Sequence, residues 1–328
     1  MHIPDNYLSP QTCAVMGAIM IPVWAVAVKK VREEVSAKKI PLLGISAAFS
    51  FLIMMFNIPL PGGTTGHAVG ATLVAILLGP FSATLAVSIA LLIQALLFGD
   101  GGILAFGANC FNMAFIIPFS GYFIYTFIKK IWKGERADYF GAFIGAYIAI
   151  NLAAFFAAVE FGIQPYLFKD GAGLPLYSPY PLSVSIPAML IPHMLGAGIL
   201  EAFVTVGVLA YVKRVSPEII YTGTDKKVRF APLYILIAAM IVLTPLGLIA
   251  SGTAWGEWAA DEIKKLVGFV PAGMEKGFQF TPPLPDYSLP VLKNDIAGYL
   301  ISAVTGAAVL LVIFKIITGR KTSKKNCD

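Results

Sequence analysis

Eight apolar stretches set the terms for this chain: residues 14–28, 40–56, 81–98, 103–128, 139–159, 186–212, 231–250 and 296–317 each approach or exceed the length that spans hydrocarbon, about 20 residues for a helix. Only 13% of the 328 residues are charged while 58% are hydrophobic, whereas about a quarter are charged in a soluble domain. The expected fold is therefore an all-α, polytopic membrane helical bundle. A ninth stretch, 68–78, is too short to count by length alone.

The distribution of positive charge decides the ninth stretch and the orientation together. Lys29, Lys30, Arg32, Lys38 and Lys39 follow the first span. Lys129, Lys130, Lys133 and Arg136 follow the stretch 103–128, and Lys213, Arg214, Lys226, Lys227 and Arg229 follow 186–212. Lys315, Arg320, Lys321, Lys324 and Lys325 close the chain, so that four clusters hold 19 of the 24 Lys and Arg. Cytoplasmic loops concentrate Lys and Arg, so an even number of crossings separates successive clusters. Counting 68–78 as a crossing of its own satisfies that parity. About nine transmembrane helices are expected, with the N-terminus outside and the C-terminus cytoplasmic. The net charge of +6 is accounted for by the bilayer and calls for no nucleic-acid partner.

Ala25-Val26-Ala27 looks like a signal-peptide cleavage site, but the charges run the wrong way: Asp5 precedes the apolar run and Lys29-Lys30 follow it. That order predicts an outward N-terminus that is kept. Met1 is expected to survive too, because aminopeptidases remove it before small residues and His2 is large. A histidine at position 2 then stands beside a free α-amine. Amine and His2 amide close a five-membered chelate ring on a metal, and amide and imidazole Nδ1 a six-membered one. Three nearly coplanar nitrogens suit Ni(II) or Cu(II), and Co(II) less strictly, while Zn(II) prefers a tetrahedron. A His2 without any role is the alternative.

Other chemistries find no residues. Cys13, Cys110 and Cys327 are scattered and form no CxxC, which argues against a disulfide framework or a thiolate metal site. HExxH, GxSxG, a P-loop and a GxGxxG in strand-helix context are absent from the sequence, so no catalytic residue is assigned. Energy for any transport must come from a gradient or a partner. His67, in NIPLPGGTTGHAVGATL, falls on the same outer side as His2. Its glycine-rich loop could fold into the bundle, where irregular backbone is tolerated if buried in protein, and give a fourth nitrogen. The other reading of His67 is a ring satisfied by loop carbonyls.

The segments MHIPDNYLSPQT, NIPLPGGTTGHAVGATL and LLFGDGGILAFGANCFNM resemble the signatures of the CbiM/NikM family, the substrate-binding S components of energy-coupling-factor transporters for cobalt and nickel. The resemblance covers about residues 1–229; the family commonly has Gly where Asn6 stands. It implies a metal held by the Met1 amine, the His2 amide and imidazole, and His67. It also implies a transmembrane coupling subunit (T component), separate ATPase subunits as partners, and an inner-membrane location.

Further polar residues remain as candidates. Asn109 and Asn112, at i and i+3, could orient a ligand imidazole or the loop, and Asp5 could hydrogen-bond around the N-terminal hook. Asp100, in the FGDGG turn, is expected to cap the following helix rather than to approach a metal. His193 and Glu201, eight apart, should share a helix face as an intramembrane polar pair, either structural or a proton relay. Gly44 and Ala48 make a small face of the kind that, in S components, docks on the coupling subunit.

Residues 230–328 read as a second unit: two spans around an outer segment 251–295. They resemble the small NikN/CbiN accessory subunit, fused here, although PAGMEK departs from the PDGxEK commonly seen there. The acidic residues Glu257, Asp261 and Glu262 read as a solvated face, and the prolines argue for extended structure. The unit is expected to help open or load the site. The function expected is import of Ni(II) as transported substrate, with no cofactor. Co(II) in the same role, a gradient-driven secondary transporter and a non-transporting metal sensor are the alternatives.

Overall fold

Nine apolar helices dominate the residues described by the computed structural model, namely 1–35, 39–220, 228–250, 252–289 and 291–325. Lys38, Lys226, Lys227, Ser251 and Cys327 lie outside them. The helices are α1 (Pro10–Glu34), α2 (Ile40–Met54), α3 (Ala71–Leu78), α4 (Pro80–Phe98), α5 (Phe106–Ile131), α6 (Glu135–Leu167), α7 (Leu182–Val215), α8 (Ala231–Ile249) and α9 (Asp295–Lys325). Seven are long and apolar enough to cross a membrane, which makes this a polytopic helical membrane protein. Helix α2 has 15 residues and α3 only 8. Eight residues rise just about 12 Å, so a crossing at α3 has to use the non-helical run before it. Every residue of α3 is buried, and such a run is tolerated at depth only inside protein.

The run before α3 is built by sequence-local chemistry. Ile58–Leu60 pairs antiparallel with Thr64–Gly66, and the turn between them uses Gly62 and Gly63 at positive φ. Gly70 then starts α3 with φ +72, a value that L side chains rarely adopt. The left-handed residue turns the chain sharply from the hairpin into the helix, and that turn carries His67 inward.

Three long helices contain a π-helical turn: Gln94–Phe98 at the end of α4, Cys110–Ile116 in α5 and His193–Ala197 in α7. Such turns re-aim side chains and gather at functional sites. The turn in α7 follows Pro187 and Pro192. It also upsets the expectation that His193 and Glu201 act as a pair, because the helical spacing between them is not regular.

Helix α9 packs along α2. A Cβ on Gly44 would stand 3.1 Å from Phe314 Cβ, and Ala48 is buried. The small face of α2 is thus covered by the chain's own last helix, which corrects its reading as a docking surface for a coupling subunit. At the opposite end from the hairpin, Asp138 binds Lys129 at 2.7 Å and Lys213 at 2.5 Å, tying α5, α6 and α7 together.

The segment between α8 and α9 is less extended than its prolines suggest. It forms short helices at Ala260–Val267 and Ala272–Glu275 and a single turn at Pro285–Tyr287. Its anchors lie on the first unit: Trp255 N–H donates to Thr64 Oγ1 (2.7 Å), Gly273 N–H to Leu176 O (2.8 Å) and Leu284 N–H to Leu97 O (2.9 Å).

Candidate metal centre

The first nine residues form a hook between the helices, buried at residues 1–3 and 7–9 and half-buried at 4–6. Asn109 on α5 clamps its backbone, accepting from Ile3 N–H at 2.7 Å and donating to Ile3 O at 3.0 Å. Gly102 N–H donates to the same carbonyl at 2.8 Å. The Asp5 carboxylate accepts from Ile103 N–H (3.0 Å) and Leu104 N–H (2.7 Å). Gln164 on α6 accepts from Ser9 N–H (3.0 Å), where Ser9 in turn caps α1 through Thr12 N–H (3.0 Å). Asn6 sits at φ +69, and its side chain both accepts from Phe278 N–H and donates to Phe278 O, each at 2.9 Å. A position that is often glycine here carries an asparagine that tolerates the left-handed region and uses its amide to hold the outer segment.

The hook brings the two outer histidines together. His2 Nδ1 lies 3.2 Å from His67 Nε2, and both rings are buried. Two nitrogens bound at right angles to a metal at about 2.05 Å would stand about 2.9 Å apart, so the pair is nearly spaced for ligation. His67 Nδ1 faces Ala68 O at 3.1 Å; a proton on Nδ1 leaves Nε2 bare. Burial, then the neighbouring Met1 ammonium, brings the His2 pKa down to about 3. Burial and the His2 ring hold His67 well below the usual histidine range. Both rings are therefore neutral, the form that binds a metal. Among the described residues no set of three or more His, Cys, Asp and Glu side chains gathers as a metal cluster. What meets is two imidazoles, one of them on the second residue of the chain.

Two carboxylates flank the nitrogens. Glu257 Oε1, from the segment between α8 and α9, lies 3.3 Å from the Met1 amine. Asp100 Oδ1 lies 3.2 Å from His2 Nδ1, while its Oδ2 accepts from Gln94 Nε2 (3.1 Å) and Tyr287 Oη (2.5 Å). Burial raises the pKa of Asp100 and lifts Glu257 to about 7. The expected capping role of Asp100 is overturned, because its oxygens face His2, Gln94 and Tyr287 instead of the next helix's amides. Glu257, read as part of a solvated face, is half-buried and turned toward the Met1 amine. Sequence reasoning assigned no part in the site to Gln94 or Tyr287; the visible signal was a lone amide at the end of an apolar run.

The remaining candidates divide. Asn112 does not reach the imidazoles; its Nδ2 donates to Glu160 Oε2 at 2.9 Å. Asn109 orients backbone rather than a ring. Glu201 accepts from Val69 N–H (2.7 Å) and Gly70 N–H (3.0 and 3.1 Å), fixing the start of α3 just after His67. His193 Nδ1 meets its own helix at Met189 O, 2.7 Å away, so the two residues keep separate partners.

Fold and centre together define a class: a multi-pass membrane protein with a paired-imidazole, terminal-amine pocket. The chain belongs to the family described as "Cobalt uptake substrate-specific transmembrane region", matched over residues 2–219, and carries a PDGLE domain over residues 230–320. It is a metal-transport protein and not an enzyme. It is 48% identical over 324 residues to the probable fused nickel transport protein LarMN of Lactiplantibacillus plantarum, covering 96% of this chain and 97% of the relative. It is 45% identical to the fused nickel transport protein NikMN of Rhodobacter capsulatus, covering 95% of each. A solved structure described as a truncated transition metal transporter superposes with a TM-score of 0.62 at 55% identity, covering 65% of this chain and 99% of that one.

Proposed function

We propose that this chain is the substrate-binding subunit of an energy-coupling-factor transporter that imports Ni(II). The metal is held by the Met1 amine, the His2 amide and Nδ1, and His67 Nε2. The observation that carries this reading is the 3.2 Å approach of two buried imidazole nitrogens at the N-terminus. Two fused relatives spanning nearly the whole chain are named for nickel transport, which supports the choice of metal. Residues 1–229 form the binding component and 230–328 the accessory module, with about nine crossings, the N-terminus outside and the C-terminus in the cytoplasm of the inner membrane. ATP hydrolysis belongs to partner subunits, coupled through a transmembrane T component.

Co(II) is the second reading, favoured by one observation: Asp100 Oδ1, 3.2 Å from His2 Nδ1, is placed to add a fifth ligand. A planar nitrogen set makes Ni(II) diamagnetic, and an added oxygen ligand gives a paramagnetic centre. A proton relay through His193 and Glu201 has less support, since Glu201 is occupied by two backbone amides.

The deciding experiment is nickel titration of the purified protein with its native terminus and with one residue added before Met1. The extension moves the amine out of the chelate, so binding should weaken by at least a hundredfold and the planar nickel absorption should vanish. A C-terminal tag should change neither. Retention of nickel by the extended protein would sink the assignment.

A further inference from the structure

To bind a metal through Nδ1, the His2 ring must carry its proton on Nε2, and that proton needs a partner because the atom is buried. His2 Nε2 and Gln94 Oε1 are both buried, and neither makes a hydrogen bond to any group. The Gln94 side chain stands close enough to the His2 ring to act on it as an acceptor, which favours a proton on the ring. A ligating histidine characteristically donates its other N–H to a fixed acceptor, which sets tautomer and ring orientation.

The orientation of the Gln94 amide is not free. Its Nε2 donates to Asp100 Oδ2 (3.1 Å) and to Tyr287 Oη (2.9 Å), while Tyr287 Oη donates to Asp100 Oδ2 (2.5 Å). With Asp100 ionised, this triangle has one consistent assignment. A carboxylate only accepts, the tyrosine gives its single hydrogen to it, and the Gln94 NH2 supplies the other two hydrogens. Reversing the amide would set Oε1 against the carboxylate, oxygen to oxygen. Oε1 is therefore left for His2. Tyr287 is itself fixed by a ring stack on Phe98 at 4.8 Å and by an edge contact with Tyr299 at 5.5 Å. It comes from the PDGLE domain, whereas Gln94 and His2 come from the first unit.

We infer that Gln94 is the positioning residue that holds His2 in its metal-binding tautomer, and that Tyr287 of the accessory module holds Gln94. The inference rests on the assignment of Nδ1 as a nickel ligand. It gives the module a defined mechanical role: docking of the segment between α8 and α9 completes the triangle that orients the ligand. Without Tyr287 the amide loses one of the two acceptors that fix its direction, and in the metal-free protein the Nδ1–H tautomer, facing Asp100 Oδ1 and His67 Nε2, competes.

The test compares wild type, Gln94→Met and Tyr287→Phe in the full chain, with nickel titration and with NMR of the nickel-loaded, histidine-15N-labelled protein. Wild type should show a downfield, exchange-protected His2 Nε2–H. Gln94→Met, close in volume, should lose that protection and bind nickel 10- to 100-fold more weakly. Tyr287→Phe keeps the ring stack and should weaken binding by roughly 3- to 10-fold, with partial loss of protection. If Gln94→Met does not fold, Tyr287→Phe alone decides. Wild-type affinity and a protected Nε2–H in every folded variant would overturn the inference. If wild type itself lacks a nickel-dependent His2 signal, the metal-site assignment has failed instead.

Discussion

The Glu201 carboxylate receives the Gly70 amide hydrogen at 3.0 and 3.1 Å, in the middle of the bundle and three residues from His67. The same carboxylate takes Val69 N–H, so both amides at the entrance to α3 depend on one side chain 131 or more residues away. A carboxylate at a helix start also opposes the helix dipole favourably. The loop carrying His67 is thereby held from behind, with no contact between Glu201 and the proposed ligands.

Glu201→Ala should therefore weaken nickel binding while leaving the bound metal's spectrum unchanged. It strands two buried N–H groups at a cost of about 1–3 kcal/mol each. Relaxation recovers part of that, leaving a 10- to 100-fold rise in Kd. An altered nickel absorption band would instead make Glu201 part of the coordination sphere. Wild-type affinity would mean that the loop holds His67 without help.

What the sequence made legible, and what it hid, follows from distance along the chain. Spans are local patterns, so the long helices appear where the apolar runs imply. The meeting of His2 and His67 needed only that both lie on one side. Asp100 was misread because a turn aspartate beside a coming helix has a strong local explanation, whereas its contact with His2 spans 98 residues. Gln94 showed only as a lone amide at the end of an apolar run, and the π-helical turn that it begins leaves no trace in hydropathy. The eight-residue spacing of His193 and Glu201 assumed a regular α-helix, which the turn at His193–Ala197 interrupts. Gly44 and Ala48 were correctly seen as a contact face, but the partner proved to be α9 of the same chain.

Nickel affinity should fall as pH falls, and the imidazoles should not be the cause. Burial brings the pKa of His2 down to about 3 and holds that of His67 well below its ordinary value, so neither ring is the main site of proton uptake near neutral pH. The protons displaced are one from the Met1 ammonium and one from the His2 amide. Two protons released per metal give up to a hundredfold loss of affinity per pH unit. Titrations in buffers of different ionisation enthalpy would count them. A pH-independent Kd from 6 to 8 would exclude a deprotonated amide among the ligands.

Asn6 offers a milder test of the hook. Asn6→Gly keeps the left-handed backbone at φ +69 but removes the two hydrogen bonds to Phe278. Each is exposed and contributes about 0.5–1 kcal/mol. Asn6→Ala removes the same bonds and adds roughly 1 kcal/mol of left-handed strain. The alanine variant should therefore show the lower melting temperature, with glycine between it and wild type. Nickel affinity should follow the same order, within about tenfold, because residue 6 positions the hook without touching the metal. An alanine variant at least as stable as the glycine variant would remove strain from the account.

Truncation after Arg229 asks how much of the site belongs to the accessory module. The cut removes Glu257 from the Met1 amine, Tyr287 from Gln94 and Asp100, and the Phe278 backbone from Asn6. It also strips α9 from α2, exposing Phe51 and the Gly44 face. The proposed ligands Met1, His2 and His67 all remain, and so does the Asn109 clamp on Ile3. The truncated chain should therefore still bind nickel with the same planar spectrum, but more weakly and with faster exchange. Uptake by the complete transporter should drop at least tenfold. Supplying residues 230–328 as a separate chain should restore it, and should do so less well when that chain carries Tyr287→Phe. Unimpaired uptake by the truncated chain would show that the module's contacts to the hook have no part in loading.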